Sequence, residues 1–333
     1  MKCANLHGIG DLRYEDIAQP RCEEDEVLVA VKYCGVCGSD LPRVYTKGTY
    51  HFPTVIGHEF AGQVVEDPKG ELTGKAVAVF PLLPCFTCDN CKQEQYATCE
   101  DYDYYGSRRD GGMSQLLAVK RWNLLLIPEG LGYQEAAMCE PVAVARHAIG
   151  RLQVAEGDNV LISGAGPIGI IAGQWAKRFG AKQVYYFDID PRKLEVCREF
   201  GFAEYTGAEK IQCVLEGTGH PAALEKCLEA ISPAGRMVLM GNPMGAMDMS
   251  QKTYWHILRK ELTVLGTWNS SYNSRQNDWQ EALKEMALGG INVKPLITHV
   301  FPLEKVNDAF EMMKNKSDFF NKVLISMEVQ DEQ

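Results

Sequence analysis

The sequence predicts an α/β protein in which a β-barrel-like domain precedes a doubly wound parallel sheet, and three observations predict it. Residues 1–145 carry short apolar runs separated by glycine and proline, the pattern of a strand-rich domain. From Asp158 onward, apolar strands alternate with helical repeats, as in parallel strands joined by crossover helices. The length of 333 residues favours two domains over one.

In the first half, Val27–Val31, Gly62–Glu66 and Ala76–Phe80 read as strands, punctuated by Gly35, Gly48, Pro53, Pro68 and Gly74. The long loops between them hold the cysteines and histidines. In the second half Val160–Ser163 is a buried strand, and the turn Gly164–Gly169 leads into a helix. That helix carries Ile168, Ile171, Ala172, Trp175, Ala176 and Phe179 on one face and stops at Gly180. Val184–Asp188 is the next strand, Pro191 opens a helix through Phe200, and Arg236–Gly241 and Leu262–Gly266 are later strands. A helix near Leu303–Lys314 and a strand Lys322–Ser326 close the chain.

One connection is too short. If Glu204–Thr206 and Cys213–Glu216 are the third and fourth strands, only Gly207 to Gln212 join them. A crossover normally needs a dozen or more residues and a helix. In the order 3-2-1-4 the link spans three strand spacings, ~14 Å, and returns along a strand ~17 Å long. Six or seven extended residues reach ~23 Å. The crossover helix is therefore expected to be missing, with a short or displaced third strand.

Composition excludes several roles. The formal net charge of −10 argues against a nucleic-acid partner, because no global positive field exists to meet phosphates. No run reaches ~18 apolar residues, so no membrane helix is expected, and Met1–Gly10 lacks the apolar stretch of a signal peptide. Twelve cysteines in such a chain suit metal ligands and buried thiols better than disulfides, and a cytoplasmic, reduced protein is expected.

Four cysteines fall on one loop: Cys85-x2-Cys88-x2-Cys91-x7-Cys99. Four thiolates close a tetrahedral zinc site with no open position, which is a structural site. A ferredoxin-type cluster run has a gap of three and then proline, whereas here the gap is seven and Glu100 follows. A second set, Cys37-Gly38-Ser39-Asp40 with Gly57-His58-Glu59 and the distant Glu140-Pro141, offers a thiol, an imidazole and carboxylates. Those ligand types hold a catalytic zinc with an open position, with Asp40 orienting His58. The residues alone leave this open, since a lone Cys37 is ordinarily a small buried hydrophobe and a lone His58 a hydrogen-bonded loop residue.

The third signal is Gly164-x-Gly166-x-x-Gly169, with Pro167 and Ile168 opening the helix behind it. Glycines there allow the tight turn and let a pyrophosphate approach the helix N-terminus. Asp188, at the end of the next strand, suits a ribose diol and repels a 2′-phosphate, so NAD is expected over NADP. The alternative is a glycine turn that serves only packing. His147, His256 and His299 read as structural, and Trp255, Trp268 and Trp279 as core or interface, although Trp268 and Asn269 follow a strand end where substrate can bind.

Together these motifs, in this order and across nearly the whole chain, resemble the zinc-dependent medium-chain alcohol dehydrogenases, and Glu140-Pro141 resembles the polyol dehydrogenase branch. Three segments, 37–43, 81–88 and 106–112, together with the fragment 258–264, are similar to enzymes of that branch that act on polyol phosphates. The resemblance implies a GroES-like barrel domain at 1–145, a Rossmann NAD-binding domain at 146–290 and a C-terminal return to the first domain at 291–333. It implies two zinc ions per chain, a catalytic one at Cys37, His58 and Glu59 with Glu140 as direct or water-mediated neighbour, and a structural one at the four-cysteine loop. It further implies Ser39 as first proton acceptor, a homodimer or homotetramer, and hydride transfer from a polyol or polyol phosphate to NAD. A free-polyol or threonine-type amino-alcohol dehydrogenase, or a non-catalytic NAD-binding zinc protein, are the alternatives. Arg43, Lys47, Arg108 and Arg109 are the cations that could meet a substrate phosphate, unless salt-bridged to Asp101, Asp103 or Asp110.

Overall fold

The computed structural model describes residues 1–328. The chain forms two compact units, one of Met1–Glu140 with the residues from Tyr272 onward, the other of Pro141–Ser271. The last five residues of the expected segment 291–333 lie outside the described part.

In the first unit a mixed sheet runs in the order Leu124–Leu126, Ala76–Val79, Glu59–Glu66, Glu26–Gly35, Lys322–Ser326, Ile297–Pro302, with Leu116–Lys120 also pairing with Glu26–Gly35. A smaller sheet joins Asp11–Asp16, Lys2–Gly8 and Thr54–Val55. The β-branched residues Val27, Val29 and Val31 are buried beside Val64, Val77 and Val79 in one core. The C-terminal strand Lys322–Ser326 completes the sheet by pairing antiparallel with Glu26–Gly35, at Leu324–Gly35 and Ile325–Cys34. Every residue of that strand is buried, including its lysine.

The return to this unit comes earlier than expected, at Tyr272 rather than at 291. The helix Asp278–Ala287 has the apolar period of a crossover helix, but its Trp279 packs on Phe80, ring centroids 5.4 Å apart. Tyr272 likewise stacks against Phe80 at 4.5 Å and donates its hydroxyl to the Trp122 carbonyl. The first boundary likewise falls at Glu140 rather than 145.

The second unit is a six-stranded parallel sheet in the order Ala203–Glu204, Gln183–Phe187, Asn159–Ser163, Ile211–Glu216, Ile231–Leu239, Thr263–Gly266. This is the expected 3-2-1-4 arrangement, and no helix lies between Glu204 and Ile211. The third strand is reduced to two residues, which shortens the return path that the six-residue link must cover. The helix Pro167–Arg178 buries Ile170, Ile171, Ala172, Trp175 and Ala176, and Trp175 donates its indole N–H to the Val142 carbonyl at 3.0 Å.

Candidate metal centres and active site

The four-cysteine loop closes on itself. Asp89–Lys92 is a single helical turn and Tyr96–Thr98 a 3₁₀ turn, which together fold the ten residues between Cys88 and Cys99 back on themselves. The four Sγ atoms lie within 4.8 Å of one another, with Cys85 and Cys91 at 3.9 Å and Cys88 and Cys99 at 4.0 Å. Zn–S bonds of ~2.3 Å in a tetrahedron place sulfurs ~3.8 Å apart, and a disulfide needs ~2.05 Å. The residues therefore fit a zinc ion. Cys85 is already tuned as an anion: hydrogen bonds from the Thr87 hydroxyl and amide and the Cys88 amide bring its thiol down to about 6. Burial pushes Cys91 and Cys99 the other way.

The lobe is buttressed from the far end of the chain. Asn273 donates to the Glu94 carbonyl at 3.1 Å, Ser274 to the Glu94 carboxylate at 2.5 Å, and Arg275 to the Gln93 carbonyl at 2.6 Å. Phe86, Tyr96, Trp122 and Tyr272 pack edge to face beside it, centroids 4.9 to 5.7 Å apart.

The second group assembles from separate elements. Cys37 follows the strand Glu26–Gly35, while His58 and Glu59 stand at the start of Glu59–Glu66, which pairs with it. Gly57 makes this junction: its φ is +96°, and a Cβ would meet Cys34 Sγ at 2.6 Å and Met113 Cγ at 2.7 Å. One ligand atom from each of Cys37, His58 and Glu59 lies within 4.8 Å of the other two. A thiol, an imidazole and a carboxylate at that spacing fit a zinc ion with a position left for another ligand.

The surroundings hold each ligand. Asp40, fully buried, accepts from the Cys37 amide at 3.0 Å and faces His58 Nδ1 at 3.4 Å, so Nε2 is the nitrogen that would hold a metal. Burial opposes ionisation of Asp40, but His58 and Arg43 outweigh it and hold the carboxyl well below its usual range. Arg43 donates to Asp40 at 2.7 Å and to the Ser39 hydroxyl at 3.1 Å. It is thus spent on the metal centre and is not the free cation that a substrate phosphate needs. Glu140, in the helix Cys139–Leu152, is buried outside the three-residue group; burial and then the Glu59 charge raise its carboxyl.

Two residues of this site were missed in the sequence. Lys322 is buried and makes an ion pair with Glu59, and also donates to the Val36 carbonyl at 3.2 Å. A lysine heading a continuous apolar strand was the available signal, since a buried ammonium needs a partner. Tyr104 is the other: its ring lies 5.8 Å from that of His58, and burial, with the Glu140 charge, drives its hydroxyl well up.

The remaining cations separate. Arg109 pairs with Asp103 at 3.2 Å, the salt-bridge alternative. Lys47 is exposed at the end of the helical turn Arg43–Lys47. Arg108 lies over two tyrosine rings.

In the second unit Gly164 takes φ +95° and its carbonyl would collide with a Cβ at Gly169, so both glycines are required for the strand to enter the helix so tightly. Gly166 caps the helix and Pro167 is its first residue. The Asp188 carboxylate accepts from the Ala165 amide at 2.7 Å and from the Asp190 amide at 2.9 Å, tying the acid to the glycine turn. Arg192, at the start of the next helix, is held by Asp190 at 2.8 Å. The open helix N-terminus and the braced acid fit NAD. Of the remaining residues, Trp268 is 57% exposed and Trp279 buried, and His147 meets the Ser271 hydroxyl at 3.3 Å. No helix among the described residues is long and apolar enough to cross a membrane.

Comparison with known proteins agrees. Residues 23–129 match the alcohol dehydrogenase GroES-like domain and residues 167–287 match the zinc-binding dehydrogenase family. The galactitol 1-phosphate 5-dehydrogenase of Escherichia coli K12 is 37% identical over 295 residues, covering 83% of this chain and 85% of that protein. The crystal structure of galactitol-1-phosphate dehydrogenase from Escherichia coli superposes with a TM-score of 0.91 at 34% identity, over 98% of this chain and 100% of that one. A short chain alcohol dehydrogenase from Escherichia coli CFT073, complexed with cofactor NADH, superposes at 0.89 with 29% identity, over 98% of this chain and 99% of that one. Zinc and NAD are accordingly this chain's cofactors. The chain belongs to the zinc-dependent medium-chain alcohol dehydrogenase family and is an oxidoreductase of the polyol and alcohol type.

Proposed function

We propose that this enzyme oxidises a secondary alcohol of a polyol phosphate resembling galactitol 1-phosphate to the ketose phosphate, with NAD+ as hydride acceptor. The observation that carries the reading is the convergence of Cys37, His58 and Glu59, from two strands, on one three-ligand group. Zinc bound there supplies a Lewis acid that lowers the pKa of an alcohol hydroxyl, and NAD+ takes the hydride.

The chain's own residues do the rest. Asp40 fixes the His58 ring and Arg43 fixes Asp40, so the ligand set is oriented before substrate arrives. Lys322 balances the Glu59 charge from below. Glu140 adds a buried carboxylate facing this group. Ser39 is the first acceptor of the alcohol proton; its hydroxyl already takes a hydrogen bond from Arg43, which favours a developing negative charge on it. Asp188 holds the adenosine ribose and the Gly164–Gly169 turn the pyrophosphate. The protein acts in the cytoplasm as a homodimer or homotetramer.

Oxidation of a free polyol is the second reading, favoured by the pairing of Arg43 and Arg109 with carboxylates. NADH formation followed by absorbance decides between them, with galactitol and glucitol run against their phosphates. A kcat/KM at least about tenfold higher for a phosphate supports the first reading. Equal or better use of the free polyols overturns it.

A further inference from the structure

Four cations were candidates for the phosphate end of such a substrate, and the structure leaves one of them built for the task. Arg43 is tied to Asp40, and Arg109 to Asp103. Lys47 is exposed, and among the described residues no hydrogen bond or ion pair holds its side chain. Arg108 is different: its guanidinium carbon lies 4.1 Å from the centroid of Tyr50 and 4.3 Å from that of Tyr102.

Among the described residues no carboxylate pairs with Arg108; burial acts against its charge, and hydrogen bonds to the side chains of Tyr50 and Tyr102 favour it. Two acids of its own loop are occupied, Asp103 with Arg109 and Asp110 with the Val55 amide at 2.9 Å. The two tyrosines take part of the guanidinium's five N–H donors, and the others lie along the remaining edge of its plane. That edge matches two oxygens of a phosphate monoester.

The side chain is also held in advance. Tyr50 N–H donates to the Ser107 carbonyl at 3.1 Å, and His51 Nε2 meets the Arg108 carbonyl at 2.9 Å, so two loops share one backbone seam beneath it. From Arg108 a wall of aromatic rings leads back to the metal ligands: Tyr102 is 6.2 Å from Tyr104, and Tyr104 is 5.8 Å from His58. Tyr50 is 69% exposed, so the outer side of the stack is open to an incoming anion.

We propose that Arg108, stacked against Tyr50 and Tyr102, binds the terminal phosphate of the substrate and sets the enzyme's preference for phosphorylated over free polyols. This rests on the polyol-phosphate reading above.

The test is Arg108→Gln and Arg108→Lys in the zinc-loaded enzyme, assayed with galactitol 1-phosphate and with galactitol, and with NAD+ varied separately. Loss of hydrogen bonds to a charged group lowers kcat/KM for the phosphate in Arg108→Gln by about 10- to 100-fold, through KM. Galactitol kinetics and the KM for NAD+ stay within about twofold, and Arg108→Lys recovers part of the loss because it restores charge without the fork. Inorganic phosphate competes with galactitol 1-phosphate in the wild type and more weakly in Arg108→Gln. Calorimetric binding of galactitol 1-phosphate gives the same ranking without turnover.

If the wild type prefers free polyols, the reading of the substrate fails and this proposal with it. If the wild type prefers the phosphate and Arg108→Gln keeps that preference, only the assignment of Arg108 fails. Equal losses on both substrates mean that the stack merely holds the loops together. A loss confined to NAD+ means that the guanidinium serves the cofactor's phosphates. Either result overturns the proposal.

Discussion

The two candidate metal groups of this chain are built on opposite plans. At Cys85, Cys88, Cys91 and Cys99 all ligands come from one loop of fifteen residues, and their spacing alone dictates a closed tetrahedron. At Cys37, His58 and Glu59 the ligands come from two paired strands, and buried charges behind them do the orienting. The first group takes its four sulfurs from itself, and the far end of the chain only buttresses its lobe. The second exists only because a sheet, a buried acid and a lysine more than 260 residues away are in place. On the proposed reading, stability belongs to the local design and chemistry to the dispersed one.

The largest test of that division is a pair of substitutions. Cys37→Ala removes a ligand from the group with room for substrate, and turnover falls at least ~1,000-fold, since a catalytic metal contributes several kcal/mol to the barrier. Its zinc content drops from two per chain to one, and its circular dichroism is unchanged. Cys91→Ala also leaves one zinc, but its effect is on stability, with a melting temperature lower by about 10 °C. Its turnover at low temperature stays far above that of Cys37→Ala. Comparable turnover in the two variants breaks the contrast.

A smaller effect probes what lies behind the ligands. Lys322 and Glu59 are both buried, and removing one partner of such a pair costs about 3–5 kcal/mol when nothing replaces it. Zinc is itself a cation beside Glu59. Lys322→Met therefore destabilises the chelator-treated protein strongly and the zinc-loaded protein much less, each compared with wild type in the same state by thermal unfolding. Equal destabilisation in the two states would show that zinc does not balance Glu59.

The same division explains what could be read in the sequence. The four-cysteine loop was legible because its ligands are neighbours in the chain. So was the parallel sheet, down to the missing crossover helix, because six residues between Glu204 and Ile211 leave no room for one. The second metal group became legible only through family resemblance, because its spacing is fixed by strand pairing. Lys322 was invisible because its partner lies across the sheet. The arginines could be named but not sorted, since Asp40, Asp103 and the tyrosine rings that distinguish them are tertiary neighbours. The helix Asp278–Ala287 was assigned to the wrong unit for a related reason. Its period gives one apolar face, and only the contact of Trp279 with Phe80 tells which core that face enters.

The finest test separates a ligand from the residue that aims it. Asp40 is fully buried; it faces His58 Nδ1 and braces the Cys37 amide, so it acts on two of the three residues of the group at once. Asp40→Asn keeps the shape and hydrogen-bonding capacity but removes the charge that fixes the ring and the Arg43 guanidinium. Loss of such an outer partner weakens metal binding by about 10- to 100-fold. Competition with a graded series of chelators reads this directly: one zinc per chain is released more readily than in wild type, and the other keeps its affinity. A shift of both zincs would mean that Asp40 supports the whole unit, and a shift of neither that His58 is held by packing alone. The expected split, confined to one ion, follows because the four-cysteine loop draws its hydrogen bonds from Thr87 and Cys88 within itself and owes nothing to Asp40.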